Sequence, residues 1–324
     1  MNVLVTGGAG FIGGHLVNDL KQNGVKVLGI DNFSPYYEVG MKRKKLEFFE
    51  ISGLIKDVDV ANEDDVRTLF EEFKPTHVVH LAAQGGVRAS KTDPKPYLMS
   101  NQIGFLNILN AAEAMKVQKF IYASSSSVYG DTSIAPFEES EKLSAPKSLY
   151  ALSKLSNELV ARYLPINQTQ RIGLRFFTVY GPWGRPDMAI FRLLACSILE
   201  KPFYLTANVE VQRDFTFVSD VSKVILDVLN DTFSSPAPII LNVAGGRPYT
   251  LSELFKILSS LGIDIDIRSA DVDPLDVKMT NASIKALKAN NLSVPDTTLL
   301  EGLKSTWEWM KKQDLDDLRN WLDR

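Results

Sequence analysis

Tyr150 and Lys154 stand four residues apart in a segment with helical patterning, so both side chains leave one face of that helix. Four serines, Ser124–Ser127, lie about one element upstream, with Ser125 25 residues before Tyr150. The set has a chemical purpose. Taking a hydride from a secondary alcohol also requires taking its hydroxyl proton, and a phenolate is a suitable base. A free tyrosine titrates near ~10; bringing it to neutrality corresponds to about 4 kcal/mol of differential stabilisation. A lysine ammonium and a positive nicotinamide ring would both favour the phenolate. A serine hydroxyl would hold the substrate's oxygen and share the proton. A Tyr-x-x-x-Lys pair alone is common, so the rest of the chain must supply the partner oxidant.

That partner is written at the start. The apolar run Val3–Thr6 leads into Gly7-Gly-Ala-Gly10-Phe11-Ile12-Gly13, and a helical pattern follows. Glycines there permit a tight turn, backbone approach to a pyrophosphate and close strand–helix packing. The helix N-terminus offers free N–H groups and its positive dipole end. No Lys-Ser/Thr follows the turn, which disfavours a nucleoside-triphosphate loop. Asp31 closes the second strand 18 residues after Gly13. Its carboxylate can accept from both ribose hydroxyls and would repel a 2′-phosphate, so NAD is expected over NADP. The basic run Lys42, Arg43, Lys44 and Lys45 is expected to be a solvated helix face. Asp57, ending the third strand, can meet the adenine amino group or cap the strand end.

The elements that must position these groups follow from periodicity. Asn2–Thr6, Lys26–Ile30, Leu54–Asp57, His77–Leu81, Phe120–Ser124 and Ile172–Phe177 read as buried strands. Phe11–Asn23, Asn62–Phe73, Pro96–Met115 and Ser148–Leu164 read as helices between them. Apolar strands alternating with helices imply a Rossmann-type, doubly wound α/β parallel sheet with its ligand crevice at the strands' carboxyl ends. After Phe177 the pattern loosens. Helices are expected over Ala189–Glu200, Asp220–Asn230 and Thr297–Lys312, with a capping box at Thr250 opening another to Leu261. Short strands are expected at Phe203–Leu205, Asp214–Phe217 and Ile239–Val243. This divides the chain into a cofactor domain of residues 1–177 plus about 214–243, a smaller discontinuous α/β substrate lobe of 178–213 plus about 244–313, and a tail, 314–324, read as a docked helix.

Bulk composition sets limits. The 324 residues are 45% hydrophobic and 23% charged, enough for a large core without staples. The formal net charge of -3 gives no reason to expect nucleic acid. The single cysteine, Cys196, sits in an apolar stretch and reads as a small core residue; one cysteine and three histidines make a zinc site improbable. No metal is expected, nor is a signal peptide or membrane span, so the chain reads as cytoplasmic.

With these residues in view, the chain resembles the extended short-chain dehydrogenase/reductase family, within it the NAD-dependent sugar-nucleotide epimerases, and most nearly those acting on UDP-glucuronate. TGGAGFIG, HLAAQGGVR, YASSSSVYG, YALSK, LRFFTVYGPWGRPDM, QRDFTFVSDV and EGLKSTWEW carry the resemblance along nearly the whole length. It implies that Ser125, four before Tyr129, is catalytic with Tyr150 and Lys154. It places Phe11, Ile12, Asn32, Val58, Leu81, Ala82, Ala83 and Gln84 with the glycines, Asp31 and Asp57 around the cofactor. It places Gly86, Arg88, Ser126, Ser127, Thr178, Arg185 and Arg213 around a UDP-sugar. Relatives that dehydrate or decarboxylate carry an acidic residue where Ser126 or Ser127 stands, which argues against those reactions here. Thr178 stands where hexose epimerases have Asn, and together with Arg185 it suits a sugar carboxylate. Alternatives stay open: Arg185 paired with Asp187, Thr178 a strand-end residue, Gly86 a simple turn, Arg88 paired locally, and Arg213 on Asp214 or Asp220 instead of a diphosphate. The expected reaction is C4 epimerisation of UDP-glucuronate to UDP-galacturonate, with a UDP-glucose or UDP-N-acetylhexosamine 4-epimerase as the alternative. The family also implies a homodimer pairing helices Pro96–Met115 and Ser148–Leu164. Ala89, Leu275 and Ser283 depart from the family pattern and leave the exact sugar open.

Overall fold

The protein is described here from a computed structural model covering residues 1–130, 134–143, 145–165, 168–233, 237–271 and 277–322. Leu275, one of the departures just named, lies outside the described residues. Seven parallel strands form the main sheet: β1 (Asn2–Thr6), β2 (Lys26–Asp31), β3 (Ile55–Asp57), β4 (His77–His80), β5 (Lys119–Ser125), β6 (Gln170–Phe176) and, later in the chain, β10 (Ile239–Val243). Their order is β10-β6-β5-β4-β1-β2-β3. The direction of winding reverses between β1 and β4, where Thr6 pairs with His80, the place where open sheets of this kind take their ligands, at the carboxyl ends. Buried strands need no alternation, and Val3, Leu4 and Val5 are indeed all fully enclosed.

Helices cover both faces. On one, α1 (Phe11–Gln22) and α8 (Val218–Asn230) close over Val5, Ile121 and Leu174. On the other, α3 (Glu63–Phe73) and α5 (Phe105–Ala114) pack Phe70, Phe105 and Ile108 against Leu4, Val78 and Phe120. The remaining helices of this part are α2 (Val39–Phe48), the single turn α4 (Ala89–Thr92) and α6 (Leu149–Tyr163), which carries Tyr150 and Lys154. The Ser148 hydroxyl caps α6 by accepting from the amide of Ala151.

The second lobe is built on small sheets. β7 (Thr178–Tyr180) pairs in parallel with β9 (Gln212–Phe217), which pairs antiparallel with β11 (Pro248–Thr250). β8 (Phe203–Leu205) pairs with β12 (Ile267–Ser269). Around them lie α7 (Ala189–Ile198), α9 (Leu251–Ser260), α10 (Lys285–Ala289), α11 (Leu299–Met310) and α12 (Leu315–Leu322). Leu318 and Trp321 of α12 are buried in this lobe's core, so the tail is a docked helix. Cys196 is buried in the same core.

Two expectations need correction. The segment from Pro96 is not one α-helix: Tyr97–Gly104 is π-helical and α5 begins only at Phe105. Within the wide turn Asn101 faces inward, donating to the Gln84 carbonyl at 3.1 Å and to the Ser153 hydroxyl at 3.0 Å. The basic run is a solvated face only in part: Arg43 and Lys44 are exposed, but Lys42 and Lys45 turn inward. Lys42 and Lys45 are only 6% and 2% exposed, because their ammonium groups find oxygen partners beneath α2.

Candidate active site

The glycine turn fits a dinucleotide pyrophosphate on steric and electrical grounds. Gly7 has φ +69°, and a Cβ on it would lie 2.8 Å from the Ala82 nitrogen. A Cβ on Gly13 would fall on the Gly7 carbonyl oxygen. Helix α1 starts with no side-chain cap and no acidic residue in its first turn, so its N–H groups point outward unneutralised. Phe11 is buried at the start of this helix and Ile12 packs partly against the same core. Gly13→Ala is therefore expected to abolish retention of NAD and lower the melting temperature. Cofactor absorbance of the purified protein and a thermal melt check this, and an alanine variant that keeps both would remove the turn's assigned importance.

Asp31 ends β2 beside the turn. Its Oδ2 accepts from the Ala9 amide at 3.2 Å, and its Oδ1 accepts from the Phe33 amide at 2.9 Å and from Lys42 Nζ at 3.1 Å. Lys45 reaches the carbonyl oxygens of Ala9, at 2.8 Å, and of Gly10. Burial pulls the Lys45 ammonium down to about 7, with Asp31 acting against the shift. Both inner lysines are thus engaged by the turn and by Asp31. Asn32 donates to Asp59 at 3.1 Å, and Asp57 is exposed at the end of β3, in register with Asp31. The Val58 amide bonds the Asp31 carbonyl.

After β4, the Leu81 amide donates to the Thr6 carbonyl at 3.1 Å and the Ala82 amide to the Thr6 hydroxyl at 3.0 Å. Ala83 follows half-buried, and the Gln84 amide donates to Asn101 Oδ1 at 2.7 Å. These bonds hold Leu81–Gln84 against the mouth of the glycine turn.

Tyr150 and Ser125 meet across α6 and the end of β5. Burial pushes the Tyr150 phenol up; the Ser125 hydroxyl, its hydrogen-bond partner, and the Arg185 charge pull it down, while Asp187 raises it. Lys154 donates to the Ala123 carbonyl at 2.9 Å, and burial lowers its ammonium to about 8. Thus in this structure the cation that bears on the phenol is Arg185, where the sequence pointed to Lys154. Ser125 also caps the 3-10 turn Ser126–Tyr129, accepting from the Ser127 amide at 3.2 Å and donating to the Ser127 hydroxyl at 3.1 Å.

The residues expected on the sugar side lie after β6 and in the loop after β4. Arg185 is in a bidentate pair with Asp187, the alternative left open above, yet it also borders the site. A Cβ on Gly85 would lie 2.9 Å from Arg185 Cζ, so the loop and the guanidinium are in close contact. Gly86 has φ +92° and lies against the Tyr36 hydroxyl. Thr178 opens β7, half-buried. Arg213 donates to the Gln212 carbonyl at 2.7 Å, whereas Asp220 accepts from the Thr297 amide at 3.0 Å and Asp214 from the Ala282 amide at 3.1 Å. Arg88 is exposed and reaches across to the Thr206 hydroxyl at 2.9 Å. Ala89 begins α4, and Ser283 is buried with its amide on the Phe137 carbonyl at 2.8 Å.

Sequence reading missed a buried network behind these groups. Glu158 accepts from Arg175 Nε at 2.9 Å and Nη2 at 2.8 Å, and from the Ser124 hydroxyl. The Arg175 guanidinium lies 4.7 Å from the centre of the Tyr129 ring, and Tyr129 donates to Asn242 Oδ1 at 2.7 Å. The chain of contacts ties α6 to β5, β6 and β10. The one available signal was a carboxylate four residues after Lys154, on the same helix face. Among the described residues there is no cluster of His, Cys, Asp or Glu suited to a metal, and no helix long and apolar enough to cross a membrane.

Comparison with known proteins agrees with this geometry. Residues 3–244 match the model of the NAD dependent epimerase/dehydratase family. UDP-glucuronate 4-epimerase 4 of Arabidopsis thaliana is 37% identical over 327 residues, covering 95% of this chain and 75% of its own. The crystal structure of UDP-glucuronic acid 4-epimerase from Bacillus cereus, in complex with UDP-glucuronic acid and NAD, superposes with a TM-score of 0.86 at 32% identity, over 96% of this chain and 99% of that one. A UDP-glucose 4-epimerase from Thermus thermophilus, in complex with NAD, gives 0.83 at 29% identity, over 97% and 100%.

Proposed function

The chain belongs to the NAD-dependent epimerase/dehydratase family, and from that premise we propose that it interconverts UDP-glucuronate and UDP-galacturonate at C4. The glycine turn and Asp31 would hold NAD, which would supply the oxidant for C4. The protein's own residues do the remainder. Tyr150 takes the O4 proton as the C4–H bond breaks, and the Ser125 hydroxyl bridges the sugar oxygen and the phenol. Lys154, held on the Ala123 carbonyl, would hold the ribose of the cofactor. The 4-keto sugar turns over in the pocket, and Tyr150 returns the proton after reduction on the other face. Arg213 clamps the diphosphate as a planar fork.

A 4-ketouronate is a β-keto acid and loses carbon dioxide when its carboxylate bond aligns with the carbonyl π system. Arg185 and Thr178 fix the carboxylate out of that alignment, and Ser126 and Ser127 offer no acid for elimination. The observation that carries the choice of a charged sugar is Arg185, a permanent cation at the site whose field reaches the Tyr150 phenol. Purified protein given UDP-glucuronate should yield UDP-galacturonate, with a higher kcat/KM than for UDP-glucose. Recovery of UDP-pentose alone, or of untouched substrate, counts against the reading. The second reading, a neutral UDP-hexose, draws on Asp187, which already neutralises Arg185.

The working unit in this proposal is a homodimer. Leu98, Met99 and Ile103 on the π-helical segment and Leu152 and Leu159 on α6 are exposed, large and apolar, as two such helices meeting their copies require. Light scattering should give twice the 36.1 kDa chain mass, and Leu152→Glu should give the single mass. A wild-type monomer at micromolar concentration would remove the proposal.

A further inference from the structure

Arg185 already has a carboxylate. Its Nε donates to Asp187 Oδ1 at 2.9 Å and its Nη2 to Oδ2 at 2.5 Å, while Nη1 lies against Gly85. The Tyr36 hydroxyl donates to the same Oδ2 at 3.1 Å, and the Tyr36 ring lies 5.6 Å from Arg185 Cζ. Burial alone would raise the Asp187 carboxyl, but Arg185 and then Tyr36 outweigh it and hold the group below its ordinary value, ionised. Burial, helped by the Asp187 charge, raises the Tyr36 phenol, so it stays a donor. Three side chains from two distant segments therefore form a closed, neutral unit at the edge of the catalytic pocket.

We propose that Asp187, fixed by Tyr36, sets how strongly the site separates an anionic sugar from a neutral one, by sharing the Arg185 guanidinium with the substrate's carboxylate. The inference rests on the uronate reading above. Two carboxylates on one cation repel each other, so Asp187 reduces what the sugar carboxylate gains from Arg185. With a neutral sugar, Asp187 keeps Arg185 from being an unpaired, half-buried charge. The pair acts on the base as well. Arg185 lowers the Tyr150 phenol and Asp187 raises it, so removing the Asp187 charge leaves the lowering influence alone.

The test compares wild type, Asp187→Asn and Tyr36→Phe on UDP-glucuronate and UDP-glucose, with pH profiles of kcat. Asp187→Asn should raise the ratio of kcat/KM for the uronate over the hexose about tenfold, the gain of a charge-assisted hydrogen bond over a neutral one. The change should come from a lower KM for UDP-glucuronate, and the acid limb of kcat should move to lower pH. Tyr36→Phe should shift the ratio the same way by about two- to threefold, since one hydrogen bond to Oδ2 is lost; if Asp187→Asn does not fold, this variant decides alone. An unchanged ratio, an equal loss on both sugars, or a ratio that falls because Asp187 merely orients Arg185 each overturns the inference. A wild type inactive on UDP-glucuronate defeats the substrate reading and this inference together, and is seen before any variant is measured.

Discussion

Tyr150→Phe should lower kcat by about 10²- to 10⁴-fold, the range general acid–base groups contribute, while substrate KM, NAD content and melting temperature stay near wild type. The substitution removes one oxygen and leaves the ring, which packs edge-on against Tyr97 with centroids 6.4 Å apart. Nothing in α6 depends on the phenol for its folding: the helix is capped by Ser148 and held by Lys154 on Ala123. The loss should therefore appear in the chemical step. Its pH signature follows from the site. Burial raises the phenol above its ordinary value, and Ser125 and Arg185 oppose this. Activity should accordingly rise with pH along a limb set by Tyr150. Ser125→Ala should move that limb to higher pH, because the hydroxyl that favours the phenolate is gone. Single-turnover measurement separates this from a binding defect, and a phenylalanine variant with wild-type turnover would leave only a nucleotide-binding fold.

Glu158→Gln should cost about 3–5 kcal/mol of stability, the range for breaking a buried ion pair by removing one partner. Glu158 and Arg175 are 7% and 3% exposed in their side chains, so water cannot replace the lost carboxylate. Arg175 would keep its charge with only a neutral amide oxygen and the Tyr129 ring as neighbours. The variant should melt several degrees lower. It should also lose activity, because Glu158 lies one turn beyond Lys154 and pins α6 to the strand that carries Ser124 and Ser125. A double-mutant cycle with Arg175→Met distinguishes the ion pair from simple packing: the double variant should be more stable than Glu158→Gln alone. If Glu158→Gln melts with wild type, the network is not what holds α6 in place.

Much of the sheet was legible because a strand buried on both faces must be apolar throughout, and a continuous run such as Val3-Leu4-Val5 has few other readings. The boundaries of β1, β8 and β10 agree with the periodicity to the residue. The three-residue strands β7, β11 and β12 were not read from the sequence, and their pairing is set by where β9 and β8 lie. The burial of two lysines of helix α2 was hidden for a different reason. Its sequence is basic, and the oxygens that bury Lys42 and Lys45 belong to Asp31 and to backbone carbonyls of the glycine turn, 11 to 36 positions away.

The sequence by itself determined the dinucleotide turn, the parallel sheet and the placing of Tyr150, Lys154 and Ser125 on elements that end at one crevice. Each of these is local: glycine spacing, a strand's apolar run, four residues along a helix. Only the tertiary structure decided which charges face one another. Tyr36 on Asp187, Glu158 on Arg175, and Lys45 beneath the turn are all contacts between side chains and oxygens whose distance is set by the packing of separate elements. An ion pair has a steep dependence on separation and burial, and neither is written in the spacing of the residues that make it.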